Sequence, residues 1–264
     1  MSVLIDSHCH LDLPAFEGDR NAVLSRARQA GVTAVVVPAI GRDNWDAVIA
    51  LSKATAPVAI GAALGLHPCF AHQEGDLDAL AARLQCEANL VALGECGLDA
   101  VAGVATMPTQ LAMCEAQLQL ARQHHLPVIL HVRKAHNEML TLLSRIPLPE
   151  GGVVHGFSGS LQQAEQYWRR GFRLGVGGVI TYERANKTRQ AVARMPAEAL
   201  LLETDSPDMP LSGHQGQRNE PARVRQVLET LAALRQQPES ELATQLTLNA
   251  QGLFPRLPIH PPLT

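Results

Sequence analysis

Short apolar segments recur eight times along the chain, and a longer stretch of mixed polarity separates each from the next. Nearly all of them lack the alternation of apolar and polar residues that marks a strand with one solvated face. They lie at 3–5, 34–38, 58–64, 90–93, 127–130, 152–154, 172–175 and 200–202. The pattern therefore predicts strands buried on both faces, which restricts the chain to a largely parallel sheet.

Helical periodicity marks the stretches that connect the predicted strands. Apolar residues recur there every three or four positions, and the positions between them are charged or polar. This spacing is clearest at 21–30, 77–87, 110–124, 161–170 and 222–236. Because a period of 3.6 residues is typical of helices with one apolar face, we expect these segments to cover the sheet from outside.

Eight βα units can close into a barrel or form an open, doubly wound sheet. Open sheets usually carry a glycine-rich nucleotide-binding turn after the first strand, but here the first strand runs into His8-Cys9-His10. The length of 264 residues, 46% of them hydrophobic, suits one large core. We therefore predict a single α/β domain spanning 1–264, built as a TIM-type (β/α)8 barrel.

Composition excludes several classes of function. A net charge of -3 argues against a broad basic surface for duplex nucleic acid. The five cysteines contain no CxxC pair, which favours a reducing compartment. The N-terminal segment lacks the basic region of a signal peptide, and the longest apolar run, 56–66, is interrupted by proline and glycine. We therefore expect a cytoplasmic monomer with no membrane segment and no obligate protein partner.

Histidines follow the first predicted strand at alternate positions. On an extended backbone, residues two apart point to the same face, so His8 and His10 can bind one metal ion while Cys9 points away. An HxH pair in isolation is equally well explained as a structural feature, because most histidines are not ligands. The choice between the two therefore depends on the residue types at the ends of the other strands.

Metal-ligating residue types also follow four other predicted strands. Glu95 comes directly after an apolar run, where an unpaired charge would cost several kcal/mol to bury, so it requires a cation nearby. His131, His155 and Asp205 follow the fifth, sixth and eighth strands. In a TIM barrel the carboxyl ends of all strands meet on one face, where active sites are assembled. The coincidence predicts a metal site on that face.

Neighbouring polar residues have structural interpretations. Cys9 and Cys96 are predicted to point into the core, Glu203 to support the ligands, and Asp12 to stabilise a turn or accept a hydrogen bond. The remaining helix-borne histidines considered are His124, His125 and His136. We expect these three on solvated helix faces or at helix termini.

Seven motifs occur in a fixed order over most of the chain. They are DSHCHLD, GLHP, GECGLD, HVR, HGFSG, ETDSP and RNEP. In this combination the chain resembles the TatD family of the metal-dependent amidohydrolase superfamily, whose members are described as magnesium-dependent deoxyribonucleases with a TIM barrel. The resemblance implies a hydrolase that releases nucleotides from the 3′ end of single-stranded DNA.

The resemblance also implies two divalent cations and assigns residues to them. The implied ligands of the first cation are His8, His10, Glu95 and Asp205, and those of the second are Glu95, His131 and His155. Glu95 would therefore bridge the two ions. The resemblance further places His67 and Arg133 near the substrate, where a guanidinium can bind phosphate bidentately. His67 could instead stabilise a turn, because an HP dipeptide is common in turns.

The implied mechanism uses water activated between the cations, with Asp205 taking its proton and delivering it to the leaving group. Imidazole-rich sites suit Zn, Mn, Co or Fe, whereas Mg prefers oxygen ligands, so the cations are predicted as Zn, Mn, Mg or similar. Glu95 and Asp205 are thus the predicted catalytic residues.

The chain departs from the family pattern at two places. Asp99 is followed by the small apolar segment 100–102 where the family carries an aromatic pair, and Asp208 stands where an aromatic residue is common. With only 3% aromatic residues, the chain has few that could stack on a base. The candidates are Phe70, Phe157 and Tyr182.

Two other functions are compatible with the same ligands. The first is hydrolysis of a small phosphoester, cyclic amide or lactone, although Glu95 stands where such relatives often carry a carboxylated lysine. The second is a non-catalytic metal-binding scaffold, since fold does not imply function. A complete set of ligands argues against the scaffold.

Overall fold

Eight parallel strands form one sheet whose strand order follows the chain order. In the computed structural model, which describes residues 2–261, each predicted apolar segment overlaps one strand. The strands are β1 Leu4–Asp6, β2 Val32–Pro38, β3 Ala59–Leu64, β4 Ala92–Asp99, β5 Val128–Arg133, β6 Gly152–Val154, β7 Phe172–Val176 and β8 Leu200–Leu202. The sheet curls into a nearly closed TIM barrel, which confirms the predicted fold.

The barrel closes between β8 and β1 near their carboxyl ends. The N–H of Ser7 donates to the carbonyl of Leu202 at 2.9 Å, and Cys9 and Ser206 form an isolated parallel bridge. The N–H of Asp205 donates to the carbonyl of His8 at 2.9 Å. Closure therefore brings together the two chain segments, nearly 200 residues apart, that carry predicted ligands.

The described residues contain nine α-helices that surround the barrel. They are α1 Arg20–Gln29, α2 Trp45–Lys53, α3 Asp76–Cys86, α4 Met107–Gln123, α5 His136–Leu143, α6 Leu161–Trp168, α7 Asn186–Arg194, α8 Val224–Arg235 and α9 Glu239–Leu253. The five predicted helices correspond to α1, α3, α4, α6 and α8. The α6 start shows a capping box, in which Ser160 and Gln163 satisfy each other's backbone N–H groups.

Strand β4 extends six residues beyond the predicted end at residue 93. Gly94 and Gly97 permit this extension, because they let β4 lie very close to β5. A Cβ atom at Gly97 would lie 2.0 Å from the carbonyl oxygen of His131, and Gly97 has a φ of +150°. Glu95 and Asp99 therefore lie inside the strand, and Glu95 is buried within the barrel end.

Alternate strand residues divide between two buried clusters. Small residues such as Ala34 and Ala63 fill one cluster together with Leu253 and Phe254 from the end of α9. The strand residues between them, such as Val35 and Val37, point to the other face of the sheet and pack against the outer helices in the other cluster. The barrel interior is thus filled by side chains, as expected for this fold. Within residues 2–261, no helix is long and apolar enough to cross a membrane.

Candidate metal centre

Glu95 lies at the carboxyl end of the barrel and presents one carboxylate oxygen to the two histidines that follow β1. Its Oε2 atom is 3.1 Å from His8 Nε2 and 3.5 Å from His10 Nε2. Asp205 Oδ1 approaches the same two nitrogens at 3.5 and 3.7 Å. The two Nε2 atoms are themselves 3.2 Å apart. Two imidazoles and two carboxylates thus converge on one point.

The other oxygen of Glu95 faces a second group of histidines. Its Oε1 atom is 2.7 Å from His155 Nε2 and 3.0 Å from His131 Nδ1, and these two nitrogens are 3.1 Å apart. The rings of His155 and His8 stack at a centroid distance of 3.9 Å, so the two groups adjoin. One carboxylate therefore stands between two sets of donors.

The donors fit a pair of divalent cations. Glu95 Oε2, the oxygen that faces His8 and His10, is buried and makes no hydrogen bond within the described residues. A buried carboxylate oxygen without a partner is costly, and a cation beside it removes that cost. Four sets of three possible donors have their ligand atoms within 4.8 Å of one another, and two of them match the predicted division into His8, His10 and Glu95, and Glu95, His131 and His155. The other two are His8, His155 and Asp205, and His67, Cys69 and His131. Imidazole and carboxylate are the usual ligands of catalytic transition-metal sites.

Neighbouring groups orient two of the imidazoles. His10 Nδ1 donates to the carbonyl of Pro38 at 3.1 Å, and His131 Nε2 donates to Asp99 Oδ2 at 2.8 Å. In each neutral ring the other nitrogen then faces Glu95 with a free lone pair, which is how outer hydrogen bonds prepare a histidine to bind metal. Asp99 was not among the residues predicted for the site. The signal that could have found it is the strand pleat, which places residues 95 and 99 on the same face.

Electrostatics in the cluster favour positive charge beside the carboxylates. Burial opposes the charge on Glu95, yet His155, His67 and His8 hold its pKa well below the usual range. Burial would also lower the pKa of His10, but the negative charge of the Glu95 carboxylate, 3.5 Å away, raises that pKa to about 9. Burial lowers the pKa of His8 well below its usual value. A divalent cation would supply the charge that protons otherwise provide.

His67 differs from the metal-facing histidines in the hydrogen bonds that its ring makes. The N–H of Cys69 donates to His67 Nδ1 at 3.0 Å, so in the neutral ring Nε2 carries the proton. That Nε2 atom lies 2.9 Å from Glu95 Oε1. His67 therefore both stabilises its turn and points a donor into the cluster. Arg133 lies at the rim, with 59% of its side chain exposed and Nη1 3.9 Å from Asp99 Oδ2.

Three expectations about neighbouring residues are corrected or refined. His136 is the first residue of α5, which agrees with the expected helix terminus, but it is buried rather than solvated, with Nδ1 3.1 Å from the hydroxyl of Tyr167. Burial lowers the pKa of His136 to about 4. Phe157 is buried against His136 and cannot stack on a ligand. Tyr182 is half-buried, donates its hydroxyl to Pro210 and lies under the guanidinium of Arg184.

Cys9 and Cys96 are fully buried, as predicted. Glu203 is also buried and lies behind the donors, where Oε1 accepts a hydrogen bond from the N–H of Gly156 at 2.5 Å. Its Oε1 atom is 4.0 Å from His155 Nδ1. Asn219, from the RNEP motif, donates to the carbonyl of Thr204 at 2.9 Å and so supports the segment that carries Asp205.

Comparison with known proteins agrees with this geometry. The family model described as TatD related DNase matches residues 5–255. A metal-dependent hydrolase of Escherichia coli K12, YjjV, is 47% identical over 95% of this chain and 97% of its own. Its crystal structure superimposes with a TM-score of 0.92 over 96% of this chain and 98% of that chain. The 3'-5' ssDNA/RNA exonuclease TatD of Erwinia amylovora is 34% identical over 95% of this chain and 99% of its own. The chain therefore belongs to the TatD family of metal-dependent hydrolases.

Proposed function

We propose that this chain is a two-metal deoxyribonuclease that removes nucleotides from the 3′ end of single-stranded DNA. The observation that carries the proposal is the position of Glu95, whose Oε2 faces His8 and His10 while Oε1 faces His131 and His155. A carboxylate shared between two donor groups is the arrangement that two-metal hydrolases use to hold a pair of cations.

The proposed first cation is held by His8, His10, Glu95 and Asp205, and the second by Glu95, His131 and His155. When bound, such cations lower the pKa of a coordinated water and neutralise the charge of a scissile phosphate. The proposed ligands are four imidazoles and two carboxylates. This set favours Zn or Mn over Mg as the bound ions, because Mg prefers oxygen ligands. Mg or Mn remain candidates for supporting turnover.

Asp205 is placed to move the proton. It follows β8, and 19% of its side chain is exposed toward the cavity above the donors. Since Oδ1 faces His8 and His10, the second carboxylate oxygen is available to accept a proton from the attacking water and return it to the leaving oxygen. In this proposal Glu95, which is fully buried, would hold the cations in position and would not exchange protons.

The cavity above the donors suits part of a nucleic acid strand. It measures about 390 Å³, which lies within the size range of small-molecule sites. His67 lines this cavity with its Nε2–H directed at Glu95 Oε1, and the exposed guanidinium of Arg133 stands at the rim, where it can contact phosphate oxygens. The net charge of -3 favours such local contacts over a duplex-binding surface.

The name of the Erwinia relative, an exonuclease of single-stranded DNA and RNA from the 3′ end, supports the polarity and the strand preference proposed here. The five free cysteines support the proposed cytoplasmic location. We further propose that the chain acts as a monomer, because all the donors of the centre come from one chain.

The test is hydrolysis of single-stranded DNA labelled at its 5′ or 3′ end, by protein stripped with chelator and then restored separately with Mg, Mn or Zn. We expect metal-restored release of mononucleotides from the 3′ end, and loss of release in His155→Ala and Asp205→Asn. His125→Ala is the matched control, because that histidine is largely exposed on the outside of the barrel. Release of nucleotides from the 5′ end would contradict the proposal. So would the absence of any release by protein that has bound metal. In the second case, metal-dependent cleavage of a small phosphodiester or cyclic amide would identify the alternative function.

A further inference from the structure

A second cavity adjoins the one above the metal centre. It measures about 370 Å³, and its lining includes Gly41, Arg42, Phe70 and His72. Phe70 and Ile40 line both cavities, so the two are neighbours on either side of the Phe70 ring. We call this second space the Phe70 cavity. None of the proposed metal ligands lines it.

Phe70 is exposed to an unusual degree for this chain. The chain has five Phe, two Trp and two Tyr residues, all within the described range, and Phe70 is the exposed one, at 45%. Its ring meets His67 edge-on at a centroid distance of 5.4 Å. Because His67 itself contacts Glu95, the ring is anchored beside the metal centre while much of its surface stays open. An open aromatic face is a platform for stacking.

Polar groups in the Phe70 cavity complement the aromatic face. His72 Nε2 donates to the carbonyl of His67 at 2.8 Å, so in the neutral ring Nδ1 is an acceptor. A Cβ atom placed on Gly41 would lie 3.9 Å from that Nδ1, so this edge of the ring stands beside Gly41 in the lining of the cavity. The guanidinium of Arg42 is 58% exposed and lies 3.4 Å from Asp76. A stacking face, an acceptor and a guanidinium are the groups that recognise an unpaired base.

We propose that the Phe70 cavity binds the base of the 3′-terminal nucleotide, the one that the enzyme releases. This inference rests on the proposed function and specifies its substrate subsite. The base stacks on Phe70, and a base N–H donates to His72 Nδ1. The cavity volume suits a single nucleotide rather than a longer segment of strand. Stacking accepts every base, so the subsite selects for the presence of a base rather than for its identity.

The test compares two single-stranded oligonucleotides that differ only in whether the 3′-terminal residue carries a base or is abasic. The unmodified enzyme should show a KM about tenfold lower for the intact strand, since stacking binds ground state and transition state equally. Phe70→Ala should abolish this preference by raising the KM of the intact strand to that of the abasic strand. Phe70→Trp should retain the preference.

A second variant fills the cavity without touching Phe70. Gly41 has extended backbone, with φ of 179°, and an added side chain would point toward His72, so Gly41→Leu should also abolish the preference. Gly18→Leu is the matched control, because a Cβ there meets no atom within 4 Å. An equal rise in KM for both strands in Phe70→Ala would overturn the inference, since it would mean that Phe70 only supports the metal centre. An unchanged preference would overturn it as well.

Failure of the proposed function gives a different result. If the unmodified protein hydrolyses neither strand, calorimetric titration of the metal-loaded protein with a deoxynucleoside 5′-monophosphate and with deoxyribose 5-phosphate tests the subsite directly. Binding about tenfold tighter for the nucleotide, lost in Phe70→Ala and Gly41→Leu, supports the Phe70 cavity as a base site. Equal affinities for the two ligands overturn it.

Discussion

Asp6 and Thr204 hold the carboxyl ends of the first and last strands together. The hydroxyl of Thr204 donates to Asp6 Oδ2 at 2.6 Å, and the N–H of Thr204 donates to Oδ1 at 3.0 Å. The same Oδ1 accepts from the N–H of His8 at 3.2 Å. Because His8 and Asp205 lie within two residues of these groups in the chain, the pair sets the distance between two proposed ligands of one cation.

Replacement of Thr204 by Val should weaken both the fold and the metal centre. The change keeps the shape of the side chain but leaves a buried oxygen of Asp6 without its hydroxyl donor, so the free energy of unfolding should fall by about 1–3 kcal/mol. Metal affinity should fall roughly 10- to 100-fold, as for other residues that orient ligands. Urea unfolding and calorimetric metal titration measure the two effects.

The control for this variant is Thr244→Val, because Thr244 is exposed on α9 and its hydroxyl bonds only to its own helix. It should leave stability within about 0.5 kcal/mol. If Thr204→Val keeps both stability and metal affinity, the link between β1 and β8 does not position the ligands.

Replacement of Asp205 by Asn should separate metal binding from turnover. Asn keeps an oxygen toward His8 and His10 but cannot accept a proton, so kcat should fall by about 10²–10⁴-fold while much of the bound metal is retained. Metal content per chain and the rate of nucleotide release are the measurements. Asp208→Asn, at the exposed rim of the same cavity, should keep most of the activity. Near-normal turnover of Asp205→Asn would refute the proton role.

Removal of metal should destabilise the protein. The cluster holds carboxylates whose buried charge requires positive partners, and a ligand bound only by the folded state adds stability by mass action. Zn or Mn at about 1,000 times its Kd should add roughly 4 kcal/mol relative to the stripped protein. Scanning calorimetry of stripped and restored protein measures the difference, and Glu95→Gln should lose most of the gain. Identical Tm values for both forms would contradict a metal centre.

Stability should also depend on pH through His136. Burial lowers its pKa in the folded state to about 4, with a smaller contribution from Lys187, whereas the unfolded value is near 6.5. The fold favours the neutral ring, so this contribution is complete above pH 6.5 and is lost as pH falls toward 4. The loss amounts to about 1.4 kcal/mol per pH unit in that window.

The comparison is between the unmodified protein and His136→Gln, each unfolded by urea at pH 7 and pH 5. The drop in unfolding free energy between the two pH values should be about 2 kcal/mol smaller in the variant. All other titrating groups cancel in this difference. Equal drops in both proteins would mean that His136 titrates normally in the fold.

The choice of a barrel over an open sheet needed a second signal, the His8-Cys9-His10 segment in place of a glycine-rich turn. Periodicity in the sequence was sufficient for the strands and helices themselves, because strands buried on both faces must be apolar throughout and their covering helices must be apolar on one face. It was not sufficient for the end of β4. Gly94 and Gly97 have low strand propensity, so the pattern stops at residue 93. The absence of a Cβ at Gly97 is what allows β4 to continue against the carbonyl of His131.

Local pattern also failed for His136 and Phe157. The sequence predicts a helix terminus or a solvated face for His136 and an accessible ring for Phe157. His136 does begin α5, but the two side chains pack against each other and against Tyr167 in the interior. Polarity and spacing along one helix do not reveal which neighbouring helix covers it. The buried position of His136 follows from the packing of α5 against Tyr167 of α6.

The metal-ligating residue types and their places after successive strands were visible in the chain itself, because strand ends of a parallel barrel must share one face. The tertiary structure alone decided that the two oxygens of Glu95 face different histidine groups, that Asp99 orients His131, and that the Phe70 cavity adjoins the centre. These are distances between side chains far apart in sequence. Those among Glu95, Asp99, His131 and His155 depend on how β4 pairs with β5 and β5 with β6, because that pairing sets which side chains meet, and no local pattern encodes it.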